Sequence, residues 1–386
     1  MPRTDVFIVA VEPSGDNLGA ALAESLRTKS PSLTLKAISG ASTERAGLPS
    51  QMDIDGLAIL GFTEGIRALP HVLRKVREAA DIILADDPRA VVLIDSWGFM
   101  VRLAKRLKAR GYTGQVVKYV SPQVWATRPG RAKVLARHVD HLLSTQPMDA
   151  ACYEGTGLPL TYVGNPVLDV DYRSGDKAAF CARHGLDPKK PIVGVFPGSR
   201  NSELTNLLGP MAANTVGVRN AVPGVQPVWI ISDAVSERWG DMIRKFAMDA
   251  TIVSQSELMD VLASLDAAHA VSGTITSQLA CAGVPTVVVY KLSPVTYFVA
   301  SRLFKPDHIS LVNIAAGKAL MPEYMQDDVA GRPVVAALQR MLTDEDARAA
   351  ASAALIAQTQ SMGAGQQNAS DRAAEALLAI LGEESA

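Results

Sequence analysis

The sequence has few cysteines and no apolar run long enough to cross a membrane. Cys152, Cys181 and Cys281 are odd in number and far apart, so they provide neither a disulfide framework nor a metal-ligand spacing. A membrane-spanning helix needs roughly 18 consecutive apolar residues, and the chain has no such stretch. The first residues carry no long apolar segment with a cleavage site, so we expect no secretion signal. These absences predict a protein of the reducing cytoplasm.

The sequence also lacks net charge and metal-binding motifs. Its 38 Lys and Arg residues nearly balance 39 Asp and Glu residues, leaving a net charge of −1, which argues against a nucleic-acid-binding protein. The six histidines form no His-x-x-x-His pair. We interpret the acidic pairs Asp53-x-Asp55 and Asp169-x-Asp171 as solvated turns. We therefore expect no metal, no cofactor and no nucleic-acid partner.

Short apolar runs alternate with helical patterns along most of the chain. This alternation is typical of a doubly wound parallel sheet, and it restarts after a polar stretch at about 165–190 that we interpret as an interdomain linker. We predict an α/β fold of two Rossmann-like domains facing a cleft, with domains at 1–168 and 169–350 and terminal helices at 351–386. The predicted strands are Val6–Val11, Ala90–Ile94, Gln115–Val120, Ile192–Phe196, Val228–Ile231, Ala267–Val271 and Thr286–Tyr290.

The turn after the first predicted strand is a candidate ligand site. It reads Glu12-Pro13-Ser14-Gly15-Asp16 and follows the carboxyl end of a strand, where ligands bind in such folds. Gly15 permits close approach of a ligand to the backbone, and the following helix N-terminus favours an anion or a polar group. A plain helix cap made by Ser14 or Asp16 explains the pattern equally well.

Two similar turns occur in the second half of the chain, each between a predicted strand and a helix. Backbone N–H groups and an arginine at the first turn suit a pyrophosphate, although a surface arginine beside a capping serine is the alternative. Two such turns in one half indicate a diphosphate-bearing donor bound by the C-terminal domain. Their residues are Gly198, Ser199 and Arg200 in the first turn and Ser272, Gly273, Thr274 and Gln278 in the second.

Residues 101–137 are strongly basic, with ten Lys and Arg residues and no Asp or Glu. A solvated helical face accounts for part of this charge, but a surface that attracts anionic lipid or phosphate explains its one-sidedness better. RNA binding is a third interpretation, without a supporting aromatic motif. The ten residues are Arg102, Lys105, Arg106, Lys108, Arg110, Lys118, Arg128, Arg131, Lys133 and Arg137.

Two further segments bear on membrane contact. Residues 294–305 (PVTYFVASRLFK) mix large apolar side chains with Arg302 and Lys305. We favour a buried helix here, and the alternative is an interfacial helix that inserts aromatic side chains into a lipid leaflet. Leu57–Phe62 is a second candidate for such an interfacial role.

Several ordered motifs resemble the lipid-A-disaccharide synthase family of inverting GT-B glycosyltransferases. The resemblance runs over nearly the whole chain, and many motifs in register are a more specific signal than a single glycine loop. The stretches that carry it are EPSGDNLGA (12–20), LGFTE (60–64), YVSPQVWA (119–126), FPGSRNSEL (196–204), SGT (272–274), SLVN (310–313) and PEYMQ (322–326).

The resemblance implies a reaction and a division of the site. Members of this family join UDP-2,3-diacylglucosamine to 2,3-diacylglucosamine 1-phosphate through a β-1′,6 linkage, release UDP and work without a metal. The C-terminal domain would hold UDP, and the N-terminal domain would take the acceptor at the cytoplasmic face of the inner membrane, in contact with anionic lipid; the family also includes homodimers. The implied substrate-binding residues are Ser14, Gly15, Gly198, Ser199, Arg200, Ser272, Gly273, Thr274, Gln278, Asn313 and Gln326.

The chain departs from the family pattern at several polar positions. The family reads Ile-Asp-x-Pro-Asp-Phe-Asn where this chain has IDSWGFM at 94–100, so the second Asp is replaced by Gly98. The family's Glu one turn after Ser-Gly-Thr is Gln278, while Val11, Thr127 and Asn165 replace a Gly, a Trp and a His.

The departures leave the catalytic base open. An inverting transfer needs a base near the attacking hydroxyl, and the candidates are Asp95, Glu12 and Asp16, with Arg200 assisting the leaving diphosphate. The alternatives to the synthase are a weakly active or non-catalytic paralogue that binds lipid or nucleotide sugar, and a related transferase with altered substrate preference.

Overall fold

Two parallel six-stranded sheets organise the chain. The computed structural model describes residues 3–57 and 62–383. Contacts within the chain divide it into unit 1, Met1–Pro166 with Gln367–Ala386, and unit 2, Val167–Gln366. Each unit has its own parallel sheet with helices between the strands, which confirms the predicted α/β class of two Rossmann-like domains.

The sheet of unit 1 is doubly wound. Its strands are β1 (Val6–Val9), β2 (Leu35–Ile38), β3 (Ala90–Ile94), β4 (Gln115–Tyr119), β5 (His141–Ser144) and β6 (Leu160–Tyr162). They lie in the order β2-β1-β3-β4-β5-β6, all parallel. The winding direction reverses between β1 and β3, and ligands bind beyond the carboxyl ends of strands at such a switch point.

Unit 2 repeats this arrangement. Its strands are β7 (Ile192–Phe196), β8 (Gln226–Ile231), β9 (Thr251–Ser254), β10 (Ala267–Val271), β11 (Thr286–Tyr290) and β12 (Glu323–Met325). The order is β12-β11-β10-β7-β8-β9, again parallel. Here the switch point lies between β7 and β10.

The helices cover the sheets of their own units. Those of unit 1 are α1 (Pro13–Lys29), α2 (Ala41–Arg45), α3 (Phe62–Asp86), α4 (Trp97–Ala109), α5 (Gly130–Ala136), α6 (Asp149–Tyr153) and α16 (Ala369–Leu381). Those of unit 2 are α7 (Lys177–His184), α8 (Asn201–Ala221), α9 (Asp233–Ala247), α10 (Leu258–Ser264), α11 (Thr274–Ala282), α12 (Pro294–Leu303), α13 (Leu311–Ala316), α14 (Arg332–Thr343) and α15 (Glu345–Ser361). Among the described helices, none is long and apolar enough to span a membrane.

The terminal helices divide between the two units. The sequence predicted one group at 351–386, but α15 packs on α11 and α14 of unit 2, whereas α16 packs on α1 of unit 1. Arg372 of α16 donates from Nε to the carbonyl oxygen of Val163 at 2.7 Å, and Leu377 and Leu378 are buried in the core beneath α1. The stretch interpreted as a linker contains α7, which belongs to unit 2.

The basic segment does not form one continuous surface. Lys118 is buried, with 2% of its surface exposed. Lys108 donates to both carboxylate oxygens of Asp140, at 2.8 and 2.7 Å, and Arg110 forms an ion pair with Asp81. Three of the ten charges are therefore neutralised or hidden within unit 1.

Helix α12 differs from the interpretation favoured on sequence. Phe298 is 60% exposed, and Tyr297 and Leu303 are also exposed, so the prediction of a buried helix was wrong. The Arg302 guanidinium lies 3.5 Å from the centroid of the Phe298 ring. Residues 58–61 of the other apolar segment, Leu57–Phe62, lie outside the described residues.

Candidate active site

The carboxyl ends of β7 and β10 form the first candidate site, in unit 2. The turns that follow these neighbouring strands run into α8 and α11, and a cavity of about 160 Å³ lies between them. The cavity brings together seven of the predicted substrate-binding residues, namely Gly198, Ser199, Arg200, Ser272, Gly273, Thr274 and Gln278.

A buried carboxylate organises the first turn of this cavity. Glu203, on the first turn of α8, accepts hydrogen bonds from the backbone N–H groups of Ser199 and Arg200, at 3.0 and 3.2 Å. Its other oxygen accepts from Arg200 Nη1 at 2.9 Å. A Cβ at Gly198, where φ is +106°, would lie 2.4 Å from this carboxylate, so the turn requires glycine. Arg200 remains 71% exposed at the cavity, anchored at one nitrogen.

The second turn is anchored to its surroundings by side chains. Ser272 Oγ donates to the carbonyl oxygen of Ile309 at 3.0 Å. Gln278 Nε2 donates to the hydroxyl of Tyr172 at 3.2 Å, and Tyr172 is itself buried. This bond directs the carboxamide of Gln278, whose carbonyl oxygen retains its capacity to accept a hydrogen bond from a ligand hydroxyl.

Asn313 and Gln326 do not line this cavity. The side chain of Asn313 is fully buried and bonds the backbone of Leu320 and Met321 with both of its polar atoms, at 2.7 to 3.0 Å. Gln326 bonds the backbone N–H and carbonyl of Leu292, at 2.8 and 3.2 Å. Both amides hold loops together, and the substrate contact that the resemblance implied for them stays a prediction.

The carboxyl ends of β1 and β3 form the second candidate site, in unit 1. Asp95 directly follows β3, and its Oδ2 accepts from Ser14 Oγ of the turn after β1 at 3.0 Å. A Cβ at Gly15 would lie 3.4 Å from the carbonyl oxygen of Ile94, an ordinary contact distance, so the two turns lie side by side. The backbone of Asp95 is left-handed, with φ of +53°, which costs a non-glycine residue about 1–3 kcal/mol and is typical of functional sites.

A buried lysine holds this strained backbone in place. Lys118 of β4 donates from Nζ to the carbonyl oxygens of Asp95, Tyr119 and Leu93, at 2.7, 2.9 and 3.2 Å. Burial lowers the pKa of Lys118 to about 7, against the opposing effect of the negative charges of Asp95 and Glu12. An ammonium has three N–H donors, and each has a carbonyl partner here.

Asp16, one of the three candidate bases, has a different task. Its carboxylate is 4% exposed and accepts from the backbone N–H groups of Gly40, Ser42 and Thr43, at 3.0, 2.7 and 3.2 Å. The Thr43 hydroxyl adds a fourth bond, at 2.6 Å. Burial raises the pKa of Asp16, but these hydrogen bonds outweigh it and hold the pKa below its ordinary value. A carboxylate engaged in this way caps α2 and is a poor proton acceptor.

A cavity of about 270 Å³ opens beside Asp95 and is also lined by residues that the sequence did not assign to the substrate site. These include Trp97, Gln123 and Arg131. In the cavity of unit 2, Ser232 and Gln255 are similar additions. Ser232 directly follows β8, a predicted strand, and that position was an available signal; Gln255 follows β9, which was not predicted. Among the described residues, no three His, Cys, Asp or Glu side chains are grouped to hold a metal.

Solved structures with the same fold include sugar-nucleotide enzymes. The S. aureus MnaA–UDP co-structure superposes with a TM-score of 0.63 at 10% identity, covering 99% of each chain. The calicheamicin glycosyltransferase CalG4 superposes with a TM-score of 0.59 at 14% identity, covering 98% of this chain and 99% of the other. The two units therefore have the fold of these structures, which is that of GT-B glycosyltransferases.

Comparison of sequences narrows this class to one family. Residues 6–379 match the family model for lipid-A-disaccharide synthetase. The lipid-A-disaccharide synthase of Paramagnetospirillum magneticum is 36% identical, with 97% of this chain and 96% of that protein covered. That of Geobacter sulfurreducens is 33% identical, with 98% of both covered. The chain belongs to the lipid-A-disaccharide synthetase family and is thus a glycosyltransferase of lipid A synthesis.

Replacing Asp16 with Asn tests its capping role. The amide loses the charge and one acceptor oxygen, so we expect the free energy of unfolding at neutral pH to fall by about 1–3 kcal/mol. Because the native pKa of Asp16 is lowered, its stabilising effect is present above its ordinary pKa of 3.8 and is lost as the pH falls through the native value. In urea denaturation, the free energy of unfolding of D16N should therefore fall less on acidification than that of the wild type.

The matched control is Asp81→Asn, at an exposed carboxylate of the same unit. This substitution should leave the free energy of unfolding and its dependence on pH almost unchanged. Equal stability of D16N and the wild type at neutral pH, with the same acid profile, would contradict the capping role.

Proposed function

We propose that the chain joins UDP-2,3-diacylglucosamine to 2,3-diacylglucosamine 1-phosphate through an inverting, metal-independent transfer that forms a β-1′,6 linkage and releases UDP. The observation that carries this proposal is the cavity at the switch point of unit 2, where two strand-to-helix turns and Arg200 converge. Family membership supplies the substrates, and the geometry indicates which residues address each of them.

The donor diphosphate is assigned to the turn before α8. The N-terminus of this 21-residue helix carries partial positive charge, and the Arg200 guanidinium extends beside it. Glu203 holds the turn and one nitrogen of Arg200, leaving the other guanidinium donors for phosphate oxygens. When the bond from the anomeric carbon to UDP breaks, this positive region stabilises the leaving diphosphate in the place that a metal takes in other transferases.

The acceptor hydroxyl is assigned to Asp95. Ser14 orients the carboxylate, and Lys118 fixes the backbone that presents it to the cavity of unit 1. As the hydroxyl oxygen bonds to the anomeric carbon, its proton passes to Asp95. Glu12 does not line this cavity, and Asp16 is committed to α2, so Asp95 is the base that the geometry supports best.

The membrane contact is assigned to α12. Its exposed Tyr297, Phe298 and Leu303, together with Arg302, match the composition of a helix that lies in a lipid interface. Both proposed substrates are lipids at the cytoplasmic face of the inner membrane, and a helix in the lipid interface would bring the protein to them. The homodimer implied by the resemblance stays a prediction.

A binding protein without turnover is the second candidate. Its support is Gly98, which is exposed on α4 and replaces a family carboxylate. A Cβ at Gly98 would meet only Arg102 Nη1, at 3.7 Å, so the site has room for the missing side chain. Transfer activity of the purified protein distinguishes the two candidates.

Replacing Arg200 with Ala should weaken UDP binding. Loss of a charge-assisted, bidentate phosphate partner is expected to raise the Kd for UDP by about 10- to 100-fold, roughly 1.4–2.8 kcal/mol. Isothermal titration calorimetry with UDP measures this directly. Arg244→Ala, on the exposed face of α9, is the matched control, and an unchanged Kd in R200A would remove Arg200 from the donor site.

Replacing Asp95 with Asn should abolish most turnover while leaving UDP binding intact. Removal of a positioned base typically lowers kcat by about 10²–10⁴-fold, and Asn keeps the size of the side chain. Steady-state assays of D95N, Glu12→Gln and the exposed control Asp53→Asn would rank the carboxylates. If E12Q loses activity and D95N keeps it, the base is Glu12 and the assignment fails.

A further inference from the structure

Two basic residues line the cavity beside Asp95. Lys118 has its amine engaged by three carbonyl oxygens, whereas Arg131 lines the same space of about 270 Å³ together with the polar side chains of Gln123 and Thr127. Arg131 is the second residue of α5 and lies more than thirty positions after Asp95 in sequence. The fold therefore brings a carboxylate and a guanidinium to one pocket from separate elements.

An aromatic ring fixes the guanidinium. Arg131 Cζ lies 4.9 Å from the centroid of the Trp97 ring, within the range of a cation–π contact. Trp97 is the first residue of α4, two positions after Asp95. A guanidinium held over an aromatic face keeps its N–H donors available to an anion.

Arg131 forms no ion pair among the described residues, although Asp95 lines the same pocket. Arg89, by contrast, pairs with Asp5 and Glu383. No carboxylate contributes to the electrostatics of Arg131, and both burial and the charge of Arg128 lower its pKa. A guanidinium remains protonated under these conditions, so a bound anion would relieve the repulsion.

Backbone strain is concentrated around this pocket. Seven described non-glycine residues have positive φ. Two of them, Asp95 and Val120, line the pocket, and Ser96 and Arg128 each directly follow a residue that lines it. Val120, at +70°, is β-branched, for which this conformation is a genuine outlier. Such strain persists where the surroundings over-determine it, and it clusters at ligand sites.

We propose that this pocket binds the phosphate monoester of the acceptor sugar, with the Arg131 guanidinium as its partner and Trp97 as the residue that positions the guanidinium. The inference rests on the proposed function, which supplies an acceptor with a phosphate at one end and the attacking hydroxyl elsewhere on the sugar. Arg131 attracts the phosphate and Asp95 repels it, so the two charges orient the sugar with its hydroxyl toward the base. The pocket thereby selects phosphorylated acceptors.

The kinetic test compares two acceptors, 2,3-diacylglucosamine with and without its 1-phosphate. The proteins are the wild type, R131Q, Arg131→Lys and the exposed control Arg137→Gln. In R131Q, kcat/KM for the phosphorylated acceptor should fall by about 10- to 100-fold, while the value for the unphosphorylated acceptor stays within about twofold. R131K, which keeps the charge but loses the planar fork, should fall between the two.

A merely structural role of Arg131 predicts a different pattern, in which both acceptors lose activity equally. That result, or equal kcat/KM of R131Q and the wild type for the phosphorylated acceptor, overturns the inference. The control R137Q should match the wild type with both acceptors.

A binding measurement keeps the inference independent of turnover. Calorimetry with glucosamine 1-phosphate and with glucosamine should show wild-type binding of the phosphorylated sugar that R131Q weakens by at least about tenfold. If the wild type binds glucosamine 1-phosphate through Arg131 but transfers nothing, the proposed function fails and the phosphate site stands. If the wild type transfers sugar but R131Q binds and reacts like the wild type, the proposed function stands and the phosphate site fails.

Discussion

A buried lysine amine joins the carboxyl ends of two neighbouring strands of unit 1. Lys118 Nζ donates to three carbonyl oxygens, those of Leu93 in β3, Asp95 directly after β3 and Tyr119 in β4. Burying a charge is unfavourable unless its hydrogen-bonding capacity is satisfied, and here three donors meet three acceptors. The left-handed turn at Asp95 depends on this support, and so does the start of α4, which presents Trp97.

In both units, carboxylates accept hydrogen bonds from backbone N–H groups and thereby fix the conformation of turns. Asp16 holds the start of α2, and Glu203 holds the Ser199–Arg200 turn. In unit 2, Glu323 does the same for the backbone of Ile309 and Ser310, at 2.9 and 2.8 Å. Of these three acids only Asp16 was a candidate base, and the hydrogen bonds it accepts give it a structural role.

The central strands were predictable because strands buried on both faces read as continuous apolar runs. The bounds of β3, β7, β10 and β11 in the structure are those predicted. Strands β2, β5, β6, β9 and β12 were not predicted, since they are short and at least partly exposed and carry a mixed pattern. The turns at the switch points were identified because each follows a central strand.

The role of a polar side chain depends on the direction in which it points, and the sequence does not predict that direction. A family motif containing Asn313 does not reveal whether the amide meets a ligand or a neighbouring loop, and the structure shows the loop. Arg131 was one of ten cations in a run that we interpreted mainly as a surface for anionic lipid or phosphate, and nothing in the run distinguished it from the others. Its cation–π contact with Trp97 joins two segments distant in sequence, and no local pattern encodes that contact.

We propose that this chain, with Gly98 in place of a family carboxylate, still transfers a diacylglucosamine unit from UDP to the acceptor. Mass spectrometry of the products formed by the purified protein from UDP-2,3-diacylglucosamine and 2,3-diacylglucosamine 1-phosphate, with and without EDTA, tests this most directly. We expect one disaccharide 1-phosphate for each UDP released, at the same rate in both conditions. Absence of the disaccharide, or UDP release without it, would contradict the transferase assignment, and loss of activity in EDTA would contradict metal independence.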